Sequence, residues 1–286
     1  KRLLQRRRNR YLMIGISGLA SSAALRLIDA TRDQQLDTMR NEAANKRSEQ
    51  AFRERIGDIK TPKELVADFE VYSFVMKAFD LEDQIFGKGM IRKVLEADPV
   101  APESLLNRLT DDRFREMHLA LGFTTENGPQ VPDFTNAAFL DDISNRFYNR
   151  QFINSNDEQN STVGTVLEFR DVAEETSSWF EVLGNKKLTK FFRVALGLPE
   201  QMSGLDLDRQ KAIFAEKFDL AKLADPAERE KLISRFVAIS DVLDPQSFSP
   251  NSAAVSILQN ARNRGQFVAI TLDIAAVNFS ASQLYR

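Results

Sequence analysis

The feature that most constrains this chain is a segment that occurs twice. Residues 61–123 hold Phe74-Val-Met-Lys-Ala-Phe-Asp-Leu81, then Met90-Ile-Arg-Lys-Val-Leu95, then Leu109-Thr-Asp-Asp-Arg113. Residues 188–242 answer with Phe191-Phe-Arg-Val-Ala-Leu-Gly-Leu198, Arg209-Gln-Lys-Ala-Ile-Phe214 and Leu223-Ala-Asp-Pro-Ala227. In each copy an apolar helix runs into a turn, an amphipathic stretch follows, and a Leu-x-Asp step starts a third helix. Self-similarity at this interval marks a duplicated helical unit. Two copies are too few for a solenoid, so the expected product is one pseudo-symmetric, all-α, multi-helical body. No sustained β alternation interrupts residues 17–243.

Composition narrows the chemistry. With no Cys and one His, His118, thiolates and disulfides are excluded, and a histidine-based metal site or triad has too few donors. Gly87-Lys-Gly89 lacks the third glycine and the preceding strand of a phosphate loop. Asp206-Leu-Asp208 opens like a calcium loop, but Lys211 stands where glycine is required. The acidic doublets Asp111-Asp112, Asp141-Asp142 and Glu174-Glu175 read as helix caps and solvated faces. A net charge of -2 gives no global pull toward nucleic acid or anionic membrane. Lys186-Lys187 and the pair Arg262 and Arg264 are short and lack interleaved aromatics. Asn160-Ser-Thr162 and Asn278-Phe-Ser280 match a glycosylation pattern that is frequent by chance. The expectation is a protein with no cofactor, no metal and no catalytic residues, not an enzyme. Carboxylate-only hydrolysis is the chemistry that counting residues leaves open.

Along the chain, residues 1–12 form a basic leader, followed by a short apolar run over residues 11–24 that is too short to span a bilayer. Met13 is the true start, or the first residues are a genuine basic tail, or the pattern belongs to a signal peptide. Residues 21–56 read as one long polar helix with a thin apolar stripe that includes Leu25, Ile28, Leu36 and Met39. The expectation is an N-terminal arm (residues 13–60) that projects from the body or lies along it. Thr61-Pro62-Lys63-Glu64 is a capping box that opens the first unit, residues 61–123. Leu65, Phe69, Tyr72, Val75, Met76 and Phe79 are its expected core face. Residues 124–187 are a linker and connecting helices, in which polar residues 154–162 are either a loop or a mid-helix patch. Residues 188–243 are the second unit, with Asp208 the expected cap of its helix over 209–218. A Ser-rich tether over 246–253 leads to a tail. There Phe267, Ile270, Ile274 and Val277 recur at coiled-coil spacing, favouring a helix over a strand. The stripe and the tail are the expected partner-binding segments, pairing with each other or with another subunit.

Several stretches resemble one family of bacterial proteins of unknown biochemical activity, found chiefly in alphaproteobacteria and associated with flagellar genes. They include Ile16-Ser-Gly-Leu-Ala20, Phe52-Arg-Glu-Arg-Ile-Gly57, Glu64-Leu-Val-Ala-Asp68, Ala78-Phe-Asp-Leu81, Ile91-Arg-Lys-Val-Leu-Glu96, Ala195-Leu-Gly-Leu-Pro199 and Leu205-Asp-Leu-Asp208. Together they span about residues 16–243 in the family's order; the remainder of the chain falls outside the resemblance. The family opens close to the Ser-Gly-Leu-Ala step, which favours a start at Met13. The resemblance implies a flagellum-associated structural or assembly protein acting through helical protein–protein contacts. It would be cytoplasmic or exported to the flagellum, with other flagellar proteins or a second copy as partner. A cytoplasmic export chaperone and a secreted or periplasmic helical binding module are the alternatives. No catalytic residues are known for the family, so none carries over.

Overall fold

The computed structural model describes residues 14–243. Among these the chain folds into thirteen α-helices and one two-stranded hairpin, an all-α architecture. The first half comprises α1 (Ser21–Asn41), α2 (Ala43–Arg55), α3 (Pro62–Ala67), α4 (Phe69–Ala78), α5 (Lys88–Leu95), α6 (Leu105–Arg108) and α7 (Asp112–Leu121). Strands β1 (Thr124–Thr125) and β2 (Gly128–Pro129) pair antiparallel within the expected linker. The second half comprises α8 (Ala137–Asp157), α9 (Ser161–Val172), α10 (Trp179–Gly184), α11 (Lys186–Ala195), α12 (Leu207–Lys217) and α13 (Pro226–Leu243).

The duplication is larger than the sequence pattern indicated. The succession of a 21-residue helix, a helix of 12 or 13 residues, a six-residue helix and a ten-residue helix occurs in α1 to α4 and again in α8 to α11. From α2 onward the two runs share a constant spacing of 117 residues (Phe52 and Phe169, Thr61 and Ser178, Phe74 and Phe191, Asp80 and Gly197). The expected arm and connecting helices are therefore the opening halves of the two units.

The capping chemistry repeats with the same spacing. Thr61 and Ser178 each form a capping box with a glutamate three residues on, Glu64 and Glu181. Asp68 takes the backbone N–H groups of Glu70 and Val71, and Asn185 those of Lys187 and Leu188. Both ten-residue helices close with a Schellman turn, in which Leu81 N–H donates to Met76 O at 2.7 Å and Leu198 N–H to Arg193 O at 2.8 Å. That turn needs a left-handed residue, supplied by Gly197 (φ 68) in one unit and by Asp80 (φ 55) in the other.

Each unit is built around a column of three phenylalanines. In the first, Phe74 of α4 lies 4.7 Å from Phe52 of α2 and 4.1 Å from Phe147 of α8, both stacked. In the second, Phe191 of α11 lies 3.9 Å from Phe169 of α9 and 4.9 Å from Phe236 of α13. All six rings are at most 2% exposed. Helix α8 thus closes the first unit while opening the second. Helix α13 closes the second unit from the corresponding place, and Arg53–Asp141 (2.8 Å) is matched there by Arg170–Glu230 (3.3 Å).

Five sequence expectations change. Leu223–Ala227 opens α13, whose counterpart is α8 and not α7, the helix that Leu109–Arg113 opens. The helix over residues 21–56 breaks at Glu42 (φ -64, ψ 130) and is packed into the body. Asp206, not Asp208, caps α12, accepting from Arg209 N–H at 2.9 Å. Residues 158–160 form the turn between α8 and α9, where Asn160 caps α9 through the N–H groups of Thr162 and Val163. Phe69 is 55% exposed rather than core-facing. Asp68, with ψ 97, interrupts the helical phase between Leu65 and Phe69, so the spacing of four residues no longer places them on one face.

Because each column is centred on one ring, Phe74→Ala and Phe191→Ala are each expected to destabilise the protein by about 3–5 kcal/mol. Denaturant titration of both variants checks this, and a loss below about 1 kcal/mol in either would mean the column does not organise that unit.

Candidate functional site

The proposed association stripe lies inside the protein. Leu25, Ile28 and Met39 are 6%, 0% and 5% exposed, in a helix packed on α8, α9 and α13. Leu36 is half-buried against the same core. A thin stripe suffices because the polar flanks of α1 also find partners. Arg32 donates to Asn149 at 2.9 Å and Arg40 to Asn145 at 3.0 Å, and Asp29 pairs with Arg170 at 2.7 Å. The first turn of α1 is held from the far end of the described chain: Asp241 of α13 accepts from Ser21 N–H at 3.2 Å and from Ser21 Oγ at 2.5 Å. A carboxylate at a helix N-terminus also complements the helix dipole. The other four predicted residues, Phe267, Ile270, Ile274 and Val277, lie outside the described residues.

The main concavity is a polar cleft where the two units meet. It consists of adjoining volumes of about 430 Å³ and 840 Å³ that share Asp80, Arg113, Glu116, Glu168, Val172, Glu175 and Asn185. Two arginines order it. Arg113 pairs with Asp111 at 2.7 Å and donates to the backbone oxygen of Asp80, while Asp80 Oδ1 accepts from Asn154 at 2.8 Å. The left-handed residue of the first Schellman turn is thereby an anchor for α7 and α8. Arg150 of α8 pairs with Glu168 at 2.7 Å and with Asp171. Glu168 is 5% exposed, and its second oxygen accepts from Asn185 at 3.0 Å, the same Asn that caps α11.

Two acids in the cleft are held above the ordinary carboxylate range. For Asp112 the cause is burial first, then the nearby charge of Glu181. For Glu116 it is loss of hydration first, with Glu175 and Asp112 adding to it and Arg146 and Arg150 opposing it. Glu116 is nonetheless open at the cleft mouth, 3.8 Å from Arg146. The wall is charged and largely self-paired. Among the described residues, no group of three or more His, Asp or Glu could hold a metal ion.

His118 lies on the buried face of α7. It is 1% exposed, with Nδ1 3.0 Å from Val94 O. The signal was legible: Phe114, Met117, His118 and Leu121 share one helical face, and all four are buried.

The surface carries a feature the sequence reading missed. Phe86 is 92% exposed and Phe69 is 55% exposed, and Lys88, two residues after Phe86, places Nζ 5.6 Å from the centroid of the Phe69 ring. In the second unit Phe180 and Leu207 are 45% and 51% exposed, with Lys211 Nζ 4.4 Å over the Phe180 ring. Phe69 opens α4 and Phe86 lies just before α5, whereas Phe180 is in the short helix α10 and Leu207 opens α12. The helical pattern held no signal for Phe86, because it lies in the connection before α5.

Two predictions follow from this geometry. Arg150→Met is expected to destabilise by about 3–5 kcal/mol, because it strands the buried Glu168 carboxylate, and adding Glu168→Leu is expected to recover part of the loss. Thermal denaturation of the single and double variants reads this directly. Burial lowers the pKa of His118 below the ordinary histidine value of 6.5. Its folded pKa is depressed, so its contribution to stability is present above pH 6.5 and lost as pH falls through the folded value. Unfolding free energy measured from pH 7.5 down to pH 5 is expected to decline with a slope that His118→Gln reduces. An unchanged slope would exclude His118 as its source.

The described residues contain no helix long and apolar enough to cross a membrane. No curated protein matches the chain. The crystal structure of protein AGR_C_984 from Agrobacterium tumefaciens is similar in fold, with a TM-score of 0.71 and 24% sequence identity over 82% of this chain and 98% of that one. Residues 78–228, from the end of α4 into α13, match the family described as "Protein of unknown function (DUF1217)", and with more than half of its length matched the chain belongs to that family.

Proposed function

We propose that this protein is a flagellum-associated structural or assembly protein that works through helical protein–protein contacts and not through catalysis. The observation that carries the contact reading is that each unit exposes apolar side chains close to a lysine, Phe69 and Phe86 near Lys88 in the first and Phe180 and Leu207 near Lys211 in the second. Exposed aromatic rings with a cation over them are groups that gain from being covered by a partner. Their occurrence in both units suits a partner that is itself repeated, such as the subunits of an axial assembly. The flagellar setting is supported by the family resemblance of residues 16–243. The non-catalytic reading is supported by the cleft, where Asp80, Asp111, Glu168 and Asp171 are engaged by Arg113 and Arg150.

Partner contacts through Phe267, Ile270, Ile274 and Val277 belong to the same proposal. Their partner cannot be the stripe of α1, since Leu25, Ile28 and Met39 are already covered within the chain. The working compartment is the cytoplasm or the flagellum after export.

Deleting the gene and scoring swimming and filament morphology tests the setting; normal motility with normal filaments would exclude it. Complementing the deletion with Phe86→Asp and Phe180→Asp together tests the surfaces. Both sites are exposed, so the doubly substituted protein is expected to fold but to restore swimming poorly. Full restoration would place the contacts elsewhere.

A further inference from the structure

Helix α8 meets the arginines of α1 and α2 along one seam, at every fourth residue. Asp141 accepts from Arg53 at 2.8 Å, Asn145 from Arg40 at 3.0 Å and Asn149 from Arg32 at 2.9 Å. A carboxylate therefore answers the first arginine, whereas neutral amides answer the other two. An amide oxygen accepts the hydrogen bond and fixes the side chain, but it does not cancel the charge. Each of these two guanidinium groups also lies over an aromatic ring. Arg32 is 5.7 Å from the centroid of Phe152, and Arg40 is 5.4 Å from that of Tyr148.

Among the described residues, neither Arg32 nor Arg40 has a carboxylate within ion-pair distance; their polar contacts are the two amides. The other arginines of the cleft are paired, Arg113 with Asp111, Arg146 with Asp142 at 3.0 Å and Arg150 with Glu168. Asn149 in turn donates to Asp171, but Arg150 already neutralises that carboxylate. Arg32, Leu36 and Arg40 line the 430 Å³ part of the cleft together with residues of α8 from Asp142 to Arg150. This part thus has two fixed, uncancelled positive charges with a half-buried leucine midway between them in sequence.

We propose that this part of the cleft is a seat for an acidic polypeptide segment of a partner, whose carboxylates pair with Arg32 and Arg40 and whose intervening apolar side chain covers Leu36. Arginine suits the task because its planar fork takes a carboxylate through two hydrogen bonds. The stacking rings and the amides hold both forks in place before a ligand arrives, which lowers the ordering cost of binding. The spacing selects the class of ligand. Arg32 and Arg40 are eight residues apart on one helix, roughly 12 Å, too far for one small anion to bridge. Acidic residues two turns apart on a helix, or about four apart on an extended strand, span that distance. Nucleic acid is disfavoured because Glu116 and Glu175 line the same volume and would repel a continuous polyanion. A polypeptide can place neutral or basic side chains there. Phe69, Phe86, Phe180 and Leu207 do not line this seat, so it is a contact of different chemistry from the exposed apolar groups.

Fluorescence anisotropy on the full chain at low ionic strength tests this. The probe is a fluorescein-labelled, alanine-based peptide carrying two glutamates eight residues apart and a leucine midway. The chain is expected to bind it, and to bind the same peptide with glutamine for glutamate at least about tenfold more weakly. Arg32→Gln with Arg40→Gln is expected to lose a similar factor. Lys222→Gln with Arg235→Gln, an equal change of charge at exposed positions outside the cleft, is expected to leave affinity unchanged. Trp179 fluorescence verifies that each variant is folded. Asn145→Asp keeps both arginines and gives Arg40 a carboxylate in place of its amide, so it is expected to weaken binding even if removing the arginines disturbs the fold. Failure of the glutamate peptide to bind would overturn the proposal. So would an equal loss in the Lys222 and Arg235 control, binding that survives both the arginine pair and Asn145→Asp, or tighter binding of a single-stranded DNA of the same charge. None of these outcomes bears on the swimming test, so the flagellar reading and this one fail separately.

Discussion

The whole arrangement depends on the ring of Phe147. It stacks on Phe74 and completes the aromatic column of the first unit, yet it belongs to α8, the helix that opens the second. Burying one such side chain is worth roughly 1.5–3 kcal/mol, and a well-oriented aromatic pair adds about 0.5–1.5 kcal/mol. Loss of α8 from the body would therefore uncover one column and remove the helix that precedes the other. The same helix carries Arg150, whose carboxylate partners Glu168 and Asp171 sit on α9, and Asn154, which holds Asp80 of the first unit. Apolar and polar contacts thus converge on one element, and the cleft between the units follows from it.

The chemistry of the cleft is consistent with a joint. A carboxylate as enclosed as Glu168 is tolerable only with its charge matched and its lone pairs used, and Arg150 and Asn185 do both. Asn185 links that polar cluster to the cap of α11, and Asp80 links the Arg113 cluster to the Schellman turn of α4. The ten-residue helices at the centre of each unit are accordingly tied at one end to the cleft. This explains why the two turns differ in residue type: glycine serves where only backbone geometry is required, and aspartate where the turn must also bind Arg113 and Asn154.

Much of this was legible in the chain, for identifiable reasons. The repeat from residue 61 onward shows because its cap and turn residues are restricted by backbone geometry, and Thr61-x-x-Glu64 and Gly197 record that directly. The matching of α1 and α8 was hidden because neither helix has restricted residues in its interior. Their apolar positions do not align, and the column positions Phe52 and Phe169 are single residues in otherwise unlike sequences. The burial of Leu25, Ile28 and Met39 was misjudged because a thin apolar stripe on so polar a helix reads as an arm; here the stripe is buried, cross-helix pairs from Asp29, Arg32 and Arg40 flank it, and the opposite face of α1 stays exposed. Phe86 gave no sign because periodicity describes helices and this residue lies between them.

The claim that one shared helix makes the two units a single cooperative body can be measured with a lesion confined to the first unit. Phe52 contacts Phe74, in the first unit's column, while the chain's one tryptophan, Trp179, packs against Phe192 and Phe214 in the second. Urea titration of Phe52→Ala, followed at once by Trp179 fluorescence and by far-UV circular dichroism, reads whether damage in one unit is felt in the other. The account predicts that both signals move together to the same lower midpoint. A Trp179 transition that stays at the unsubstituted midpoint, while circular dichroism shows an earlier separate step, would contradict it.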